Sequence, residues 1–555
     1  MNIQIELAKR FSLAIKSAYP EKTVVAEVTQ SRRGGHYQCN TPLKLGVNPR
    51  EAGQAIADQV DRGEVIENLE IAGPGFINIT LSDKFLSQTV NQMEGDERLG
   101  VSRPAKPLRV IVEYSSPNTA KEMHVGHLRS TIIGESLARL LEFLGHDVLR
   151  LNHVGDWGTQ FGMLIAYMKD LGTARAGIEE LVTFYKAAKK KFDEDHDFKL
   201  RAQKEVVALQ GGNADSLKAW REICEISRKS YQEIYDLLDI TLIERGESFY
   251  NPYLADVVAQ LESKGLAVDN EGAKCVFLDG FVNREGEPLP QIVQKSDGGF
   301  NYSTTDLAAI RQRVQEENAD WIIYVVDSGQ KTHFEMVFET ARRAGYVPPT
   351  VRLDHAGFGL VLGPDGKKYK TRSGETEKLI DLLNAAVDKA RNILSERLPD
   401  ATEEEARRLG LGAIKYADLS QSRASDYQFS YDKMLRLEGN TAAFLLYSYV
   451  RIASIKRKIG EAEMGPIALT HPSEIALGLH LAQFEEALQA AATDLLPNRL
   501  SDYLYALAGH FNAFFRDCHV QGTPEQASRL ALCDLTARVL AKGLNLLGIQ
   551  TIQRM

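Results

Sequence analysis

Apolar positions along the chain follow two periods, and the change between them marks its elements. Val110-Ile111-Val112 is a short β-branched run of the kind a buried parallel strand shows, and Pro117 in the polar turn Ser115-Ser116-Pro117-Asn118 ends it. From Leu128 the spacing becomes three and four. Ile132, Ile133, Leu137, Leu140, Leu141 and Leu144 then share one helical face, and Gly145 stops the helix. Strand, tight turn and helix make half of a nucleotide-binding βαβ unit. Val148 to Leu151 reads as the second strand, and the polar loop Gly155 to Gly162 lies where open α/β sheets place ligands. A helix from Thr304 to Arg313, a strand from Trp321 to Val326 and a helix from His333 to Arg343 repeat the alternation. Apolar runs at Val351 to Leu353 and Phe358 to Leu362 follow, so a parallel sheet is expected.

The flanks read differently. Residues 1–100 predict a small α+β domain: helix Ile5 to Ala18, strand Thr23 to Val28, helix Glu51 to Val60, and two strands around Pro74-Gly75. Between the strand and the second helix, Arg32 to Gln38 is a basic, glycine-containing loop. Ser102 to Pro107 is the expected linker. The nucleotide fold then occupies 101–172 and 294–395. Between them, 173–293 reads as an insertion, first helical and charged, with Lys189 to Lys191 against Asp193, Glu194 and Asp195, then strand-containing. Residues 396–555 predict an all-α bundle.

Size and charge narrow the classes. A chain of 555 residues exceeds what one core supports, and 44% hydrophobic with 25% charged residues is an ordinary globular composition. Apolar runs are short, and the first residues lack a basic-then-apolar leader, so a cytoplasmic protein without membrane contact is expected. Five scattered cysteines with no C-x-x-C spacing support neither zinc nor a disulfide framework. The net charge of −9 argues against indiscriminate coating of nucleic acid. Positive and negative residues balance over 441–555, so an anionic polymer meets that part with less repulsion.

Two stretches carry candidate chemistry. His124-Val125-Gly126-His127 stands at a helix entrance, where free N–H groups and the positive dipole end accept a polyphosphate. Its imidazoles can hydrogen-bond oxygens as charge builds in a transition state, and Gly126 lets a base and ribose lie against the backbone. Two polar histidines at an ordinary helix start are the plainer alternative. The second stretch, Gly363 to Gly374, places Lys367, Lys368, Lys370 and Arg372 in a glycine-containing loop able to neutralise a leaving pyrophosphate, or else forms a basic surface hairpin.

At these residues the chain resembles the class I arginyl-tRNA synthetases of bacterial type. The resemblance rests on Glu113-Tyr114-Ser115-Ser116-Pro117-Asn118, on Lys121 and His124 to Ser130, and on Asn152-His153-Val154-Gly155-Asp156-Trp157 through Gly162. Gly246-Glu247-Ser248-Phe249-Tyr250 is similar too. It implies a Rossmann-type catalytic domain, an N-terminal domain touching the corner of the tRNA, and a C-terminal bundle gripping the anticodon through residues such as those of Leu435 to Lys458. It also implies Mg·ATP, L-arginine and tRNA(Arg) as partners, no bound zinc, a monomer, and tRNA binding before arginine is activated.

By resemblance the catalytic groups are Lys121, His124, His127 and Lys370. ATP contacts fall on His124, Gly126, His127, Gly359, Lys368, Lys370 and Arg372, and substrate contacts on Glu113, Asn118, His153, Tyr302, Asp306 and Gln330. The loop departs from the Lys-Met-Ser-Lys-Ser of the class. Its Lys-Tyr-Lys-Thr-Arg-Ser-Gly resembles a degenerate form in which a lysine just before the histidines compensates, and Lys121 stands there. Charge agrees with an arginine pocket. A planar guanidinium needs carboxylates placed for forked hydrogen bonds; Glu113 closes a strand, and Tyr302 and Asp306 sit four residues apart at a helix start, where Asp306 can equally be a cap. A small nucleotidylyltransferase shares the histidines but is shorter. A non-catalytic relative is expected to have lost the histidines or the basic loop, and a cysteinyl enzyme needs paired cysteines.

Overall fold

The computed structural model describes residues 2–172, 177–363, 365–367, 369, 377–460 and 462–555. The chain forms two compact units: Met1–Pro104 with Leu394–Arg408 and Leu435–Met555, and Ala105–Ile393 with Leu409–Met434.

The second unit is built on a five-stranded parallel sheet. Strand Arg109–Glu113 lies at its centre, between Trp321–Tyr324 and Asp147–Asn152, with Arg352–His355 and Ile243–Glu244 at the edges. Val110, Ile111 and Val112 are wholly buried, as a run apolar on both faces requires. Helix Val125–Leu144 follows the central strand, and Gly145 ends it in the left-handed conformation. The turn between them is strained, with Ser115, Ser116 and Ala120 at φ of 72°, 45° and 62°. Hydrogen bonds hold it: Ser115 N–H donates to Ser130 Oγ and Ser116 N–H to Asn152 Oδ1.

Helices Ile178–Glu194, His196–Gln210 and Ala214–Leu237 form the helical part of the insertion. Its remainder differs from expectation by containing helix Asn251–Ser263, with a proline at its start and Leu254, Val257, Val258 and Leu261 on its buried face, before the antiparallel strands Ala267–Asn270, Ala273–Val282 and Pro288–Gln294.

Arg129 ties the histidine helix to the rest of this unit. Its side chain is buried against Asp418 at 3.0 Å, and Nη1 donates to the carbonyls of Gly359 and Ser425. Breaking such a buried pair strands a charge, so Arg129→Met is expected to cost the unit about 3–5 kcal/mol in urea unfolding.

In the first unit, helix Ile3–Ala18 packs beside a four-stranded antiparallel sheet of Val28–Gln30, Tyr37–Cys39, Phe76–Leu81 and Ile66–Ala72. The expected strand Thr23 to Val28 shrinks to its last residue. Ala26 N–H donates to Ser12 Oγ and Glu27 N–H to Thr41 Oγ1, so hydroxyls take donors a ladder would use. Helix Asp83–Glu94, capped by Ser82, was not expected. The buried Glu486 carboxylate accepts from Tyr37 O–H, Gln4 N–H and Gln30 Nε2, which joins the N-terminal part to the helices of 435–555. No helix among the described residues is long and apolar enough to cross a membrane.

Candidate active site

His124 and His127 cap the central helix reciprocally. His124 Nδ1 accepts from Gly126 N–H at 3.0 Å, His127 Nδ1 accepts from His124 N–H at 3.1 Å, and the ring centroids stand 4.1 Å apart. An Nδ1 that accepts leaves the hydrogen of a neutral ring on Nε2. Burial, with His124 and Lys121 nearby, lowers His127 to about 3, so it is a neutral Nε2–H donor at physiological pH. A Cβ on Gly126 would first meet the His124 ring, 2.8 Å from Cε1, so this glycine serves the cap before any ligand.

These residues line a cavity of about 290 Å³ with Val326, Phe358 and Gly359. A Cβ on Gly359 would stand 2.6 Å from Asp426 Oδ1. Chain beyond the basic loop returns to the same place: Lys378 pairs with Glu122 and Glu179, bridges to His124, and Leu379 N–H donates to the Met123 carbonyl. Lys121 is exposed, with Nζ 5.5 Å from the Tyr185 ring centroid. Lys368, Lys370 and Arg372 lie outside the described residues.

The expected substrate contacts all stand at or just beyond the C-terminal ends of the parallel strands or at the start of helix Tyr302–Gln315, but they fall into separate groups. Glu113 faces inward: Arg313, wholly buried, lies 2.5 Å from its Oε2, and His153 Nδ1 lies 3.9 Å away. Arg313 also donates to Tyr250 O–H. A guanidinium of the chain therefore already neutralises Glu113. Asn118 is exposed and held by a bridge to Gly155, where a Cβ would fall 2.4 Å from Asn118 Oδ1. Gln330 is exposed at the end of the turn Ser328–Gln330.

Tyr302 and Asp306 do share a face. His333 touches both, with Nε2 2.6 Å from Asp306 Oδ2 and its ring 4.9 Å from that of Tyr302. Asn301, not Asp306, caps this helix, its side chain accepting from Ser303 N–H. Asp306 is thus left for another task.

Glu247 carries no sequence signal of its own beyond the resemblance of Gly246 to Tyr250. Burial, then Asp306, then Asp156, raise its carboxyl to about 8. Asp156 is itself bonded, accepting from Ser248 N–H and Ser248 O–H. A protonated carboxyl beside two carboxylates marks a corner that favours a cation. Arginine binding against Glu247 is then expected to release a proton below pH 8. The arginine KM should fall as pH rises towards 8 and level off above it, and Glu247→Gln should flatten the profile. The linkage with folding has the opposite sign: the raised carboxyl costs stability as pH rises from the usual carboxylate range through about 8, and bound arginine restores it.

A parallel sheet whose central strand leads into a histidine-capped helix, with an acidic corner at Asp306 and Glu247, fits the class I synthetases, and the comparisons show that class. The catalytic-domain model of class I tRNA synthetases (R) matches residues 89–431, the arginyl tRNA synthetase N-terminal domain matches 3–81, and the DALR anticodon binding domain matches 445–555. The chain is 55% identical to the arginine–tRNA ligase of Protochlamydia amoebophila, covering 99% of both chains, and 53% identical to that of Nostoc sp. PCC 7120, covering 100% and 99%. Among solved structures, the arginyl-tRNA synthetase of Plasmodium falciparum superposes with a TM-score of 0.89 at 33% identity, covering 100% and 99%, and that of Thermus thermophilus with 0.84 at 25%, covering both fully. The chain belongs to the arginyl-tRNA synthetases.

Proposed function

We infer that the chain joins L-arginine to tRNA(Arg) at the expense of ATP, the acidic corner of Asp306 and Glu247, in the same compact unit as the histidine cavity, being the observation that carries the reading. In the first step an arginine carboxylate oxygen attacks the α-phosphorus of Mg·ATP, the bond to the β-phosphate breaks, and arginyl-adenylate and pyrophosphate form. In the second, a terminal ribose hydroxyl of the tRNA attacks the activated carbonyl, AMP leaves with the bonding electron pair, and the hydroxyl proton passes to solvent. No side chain becomes covalent.

Catalysis is then positioning and charge stabilisation. The guanidinium lies against Asp306 and Glu247 with Tyr302 alongside, and Asn118, Gln330, His153 and Glu113 hold the α-amino and carboxylate end. The nucleotide lies in the cavity of Gly126, Phe358 and Gly359. His124 and His127 present Nε2–H to the phosphate oxygens at the positive end of the helix. Lys121, with Lys368, Lys370 and Arg372, neutralises pyrophosphate, and Mg²⁺ arrives with ATP.

Residues 1–100 contact the tRNA corner, 396–555 take the anticodon, and tRNA binding precedes activation. The active-site groups lie in one unit of one chain, which supports a monomer, and a translation enzyme is placed in the cytoplasm. A charging assay tests the reading: tRNA(Arg) should accept labelled arginine and not labelled lysine. Lysine accepted as well as arginine would overturn it.

A further inference from the structure

We propose that His333 is a positioning residue that sets arginine recognition, by holding one oxygen of Asp306 so that the other is presented to the substrate guanidinium. The proposal rests on the reading of Asp306 as a guanidinium partner.

Three observations carry it. First, the contact is short and directional. Nε2 of His333 lies 2.6 Å from Oδ2 of Asp306, and both side chains are mostly buried, 15% and 14% exposed. An ionised carboxylate can only accept, so the imidazole donates. Secondly, the imidazole is itself held. His333 lies in helix Lys331–Arg343, its ring packs edge-on against Tyr302 at 4.9 Å, and the next residue, Phe334, is buried against Tyr324 and His355. Thirdly, Asp306 does not serve as the cap of its own helix, a place taken by Asn301.

The consequence follows from the shape of the guest. A guanidinium forms two parallel hydrogen bonds only with acceptors lying in its plane. A carboxylate attached through a freely turning bond pays an ordering cost each time it meets that plane. With Oδ2 fixed by His333, that rotation is already set before arginine arrives. Asp306 is the first charge felt by Glu247 after its burial, so the same bond also fixes where the two carboxylates stand relative to each other. The effect belongs to arginine binding, and neither ATP nor the transfer of the adenylyl group involves it.

Two isolating variants separate the hydrogen bond from the packing. His333→Phe keeps a ring against Tyr302 and loses the donor; His333→Gln loses the ring and keeps a donor within reach. In pyrophosphate exchange with tRNA present, His333→Phe is expected to raise the arginine KM about tenfold or more, the range of a lost charge-assisted hydrogen bond, with kcat and the ATP KM changed less than about threefold. His333→Gln is expected to stay within about threefold of wild type in all three. If the Phe variant does not fold, His333→Ala replaces it with the same expectation. An unchanged arginine KM in the donor-less variant overturns the proposal, as does an equal loss in Phe and Gln variants. Asp306→Asn in the same assay separates the two levels. If it raises the arginine KM while His333→Phe does not, only the role of His333 falls; if it too leaves the KM unchanged, the reading of the acidic pocket falls with it.

Discussion

Asp306→Asn is expected to lower kcat/KM for arginine by about 10² to 10³-fold, the 2–5 kcal/mol range for removing one partner of a buried charged hydrogen-bond pair. The variant keeps the size of the side chain and its place beside His333, so melting should change little. What changes is the charge. A neutral amide turns one of its two acceptor positions into a donor, which faces a guest that is all donors. Glu247 then loses its negative neighbour, so its carboxyl should ionise at lower pH, and the pH profile of arginine binding should move to lower pH with it. A variant within threefold of wild type would place the guanidinium elsewhere.

His127→Ala is the second large effect. The rate of arginine activation should fall about 10²-fold or more, near 3 kcal/mol, the worth of one preorganised donor to a developing charge. Because His127 is neutral and its tautomer is fixed by the bond from His124 N–H, the loss should be the same across pH 6 to 9. The helix loses one half of its reciprocal cap, so a stability change of about 1 kcal/mol is expected beside the rate effect, too little to unfold the chain. Rapid-quench measurement of adenylate formation separates the two.

The readable parts of this site are those made by consecutive residues. His124-Val125-Gly126-His127 and the helix it opens could be placed from spacing alone, since strand, turn and cap are local. So could the shared face of Tyr302 and Asp306, which follows from one turn of helix. What spacing could not show was partnership across the chain. Glu113 reads in sequence as a carboxylate for the substrate alone, yet Arg313, which sequence marks only as the end of a helix, turns in and shares it. The role of Glu247 is not legible in Gly246 to Tyr250, because its raised carboxyl arises from burial and then from Asp306 and Asp156, both distant in sequence. The same holds in the fold. Thr23 to Val28 has strand-like composition, but nearby hydroxyls bind its amides, and Val25 is 80% exposed. Helix Asp83–Glu94 did carry readable signals, with Ser82 as cap and Phe85, Leu86, Thr89, Val90 and Met93 on one buried face.

The most direct test of the account is arginine-dependent exchange of pyrophosphate into ATP, with amino acids supplied singly and tRNA(Arg) present or omitted. Exchange with arginine, dependent on tRNA(Arg), is the predicted result. Folded protein that gives none with arginine, or that gives it with a different amino acid, would contradict the assignment of the acidic corner and the histidine helix to one arginine-activating site.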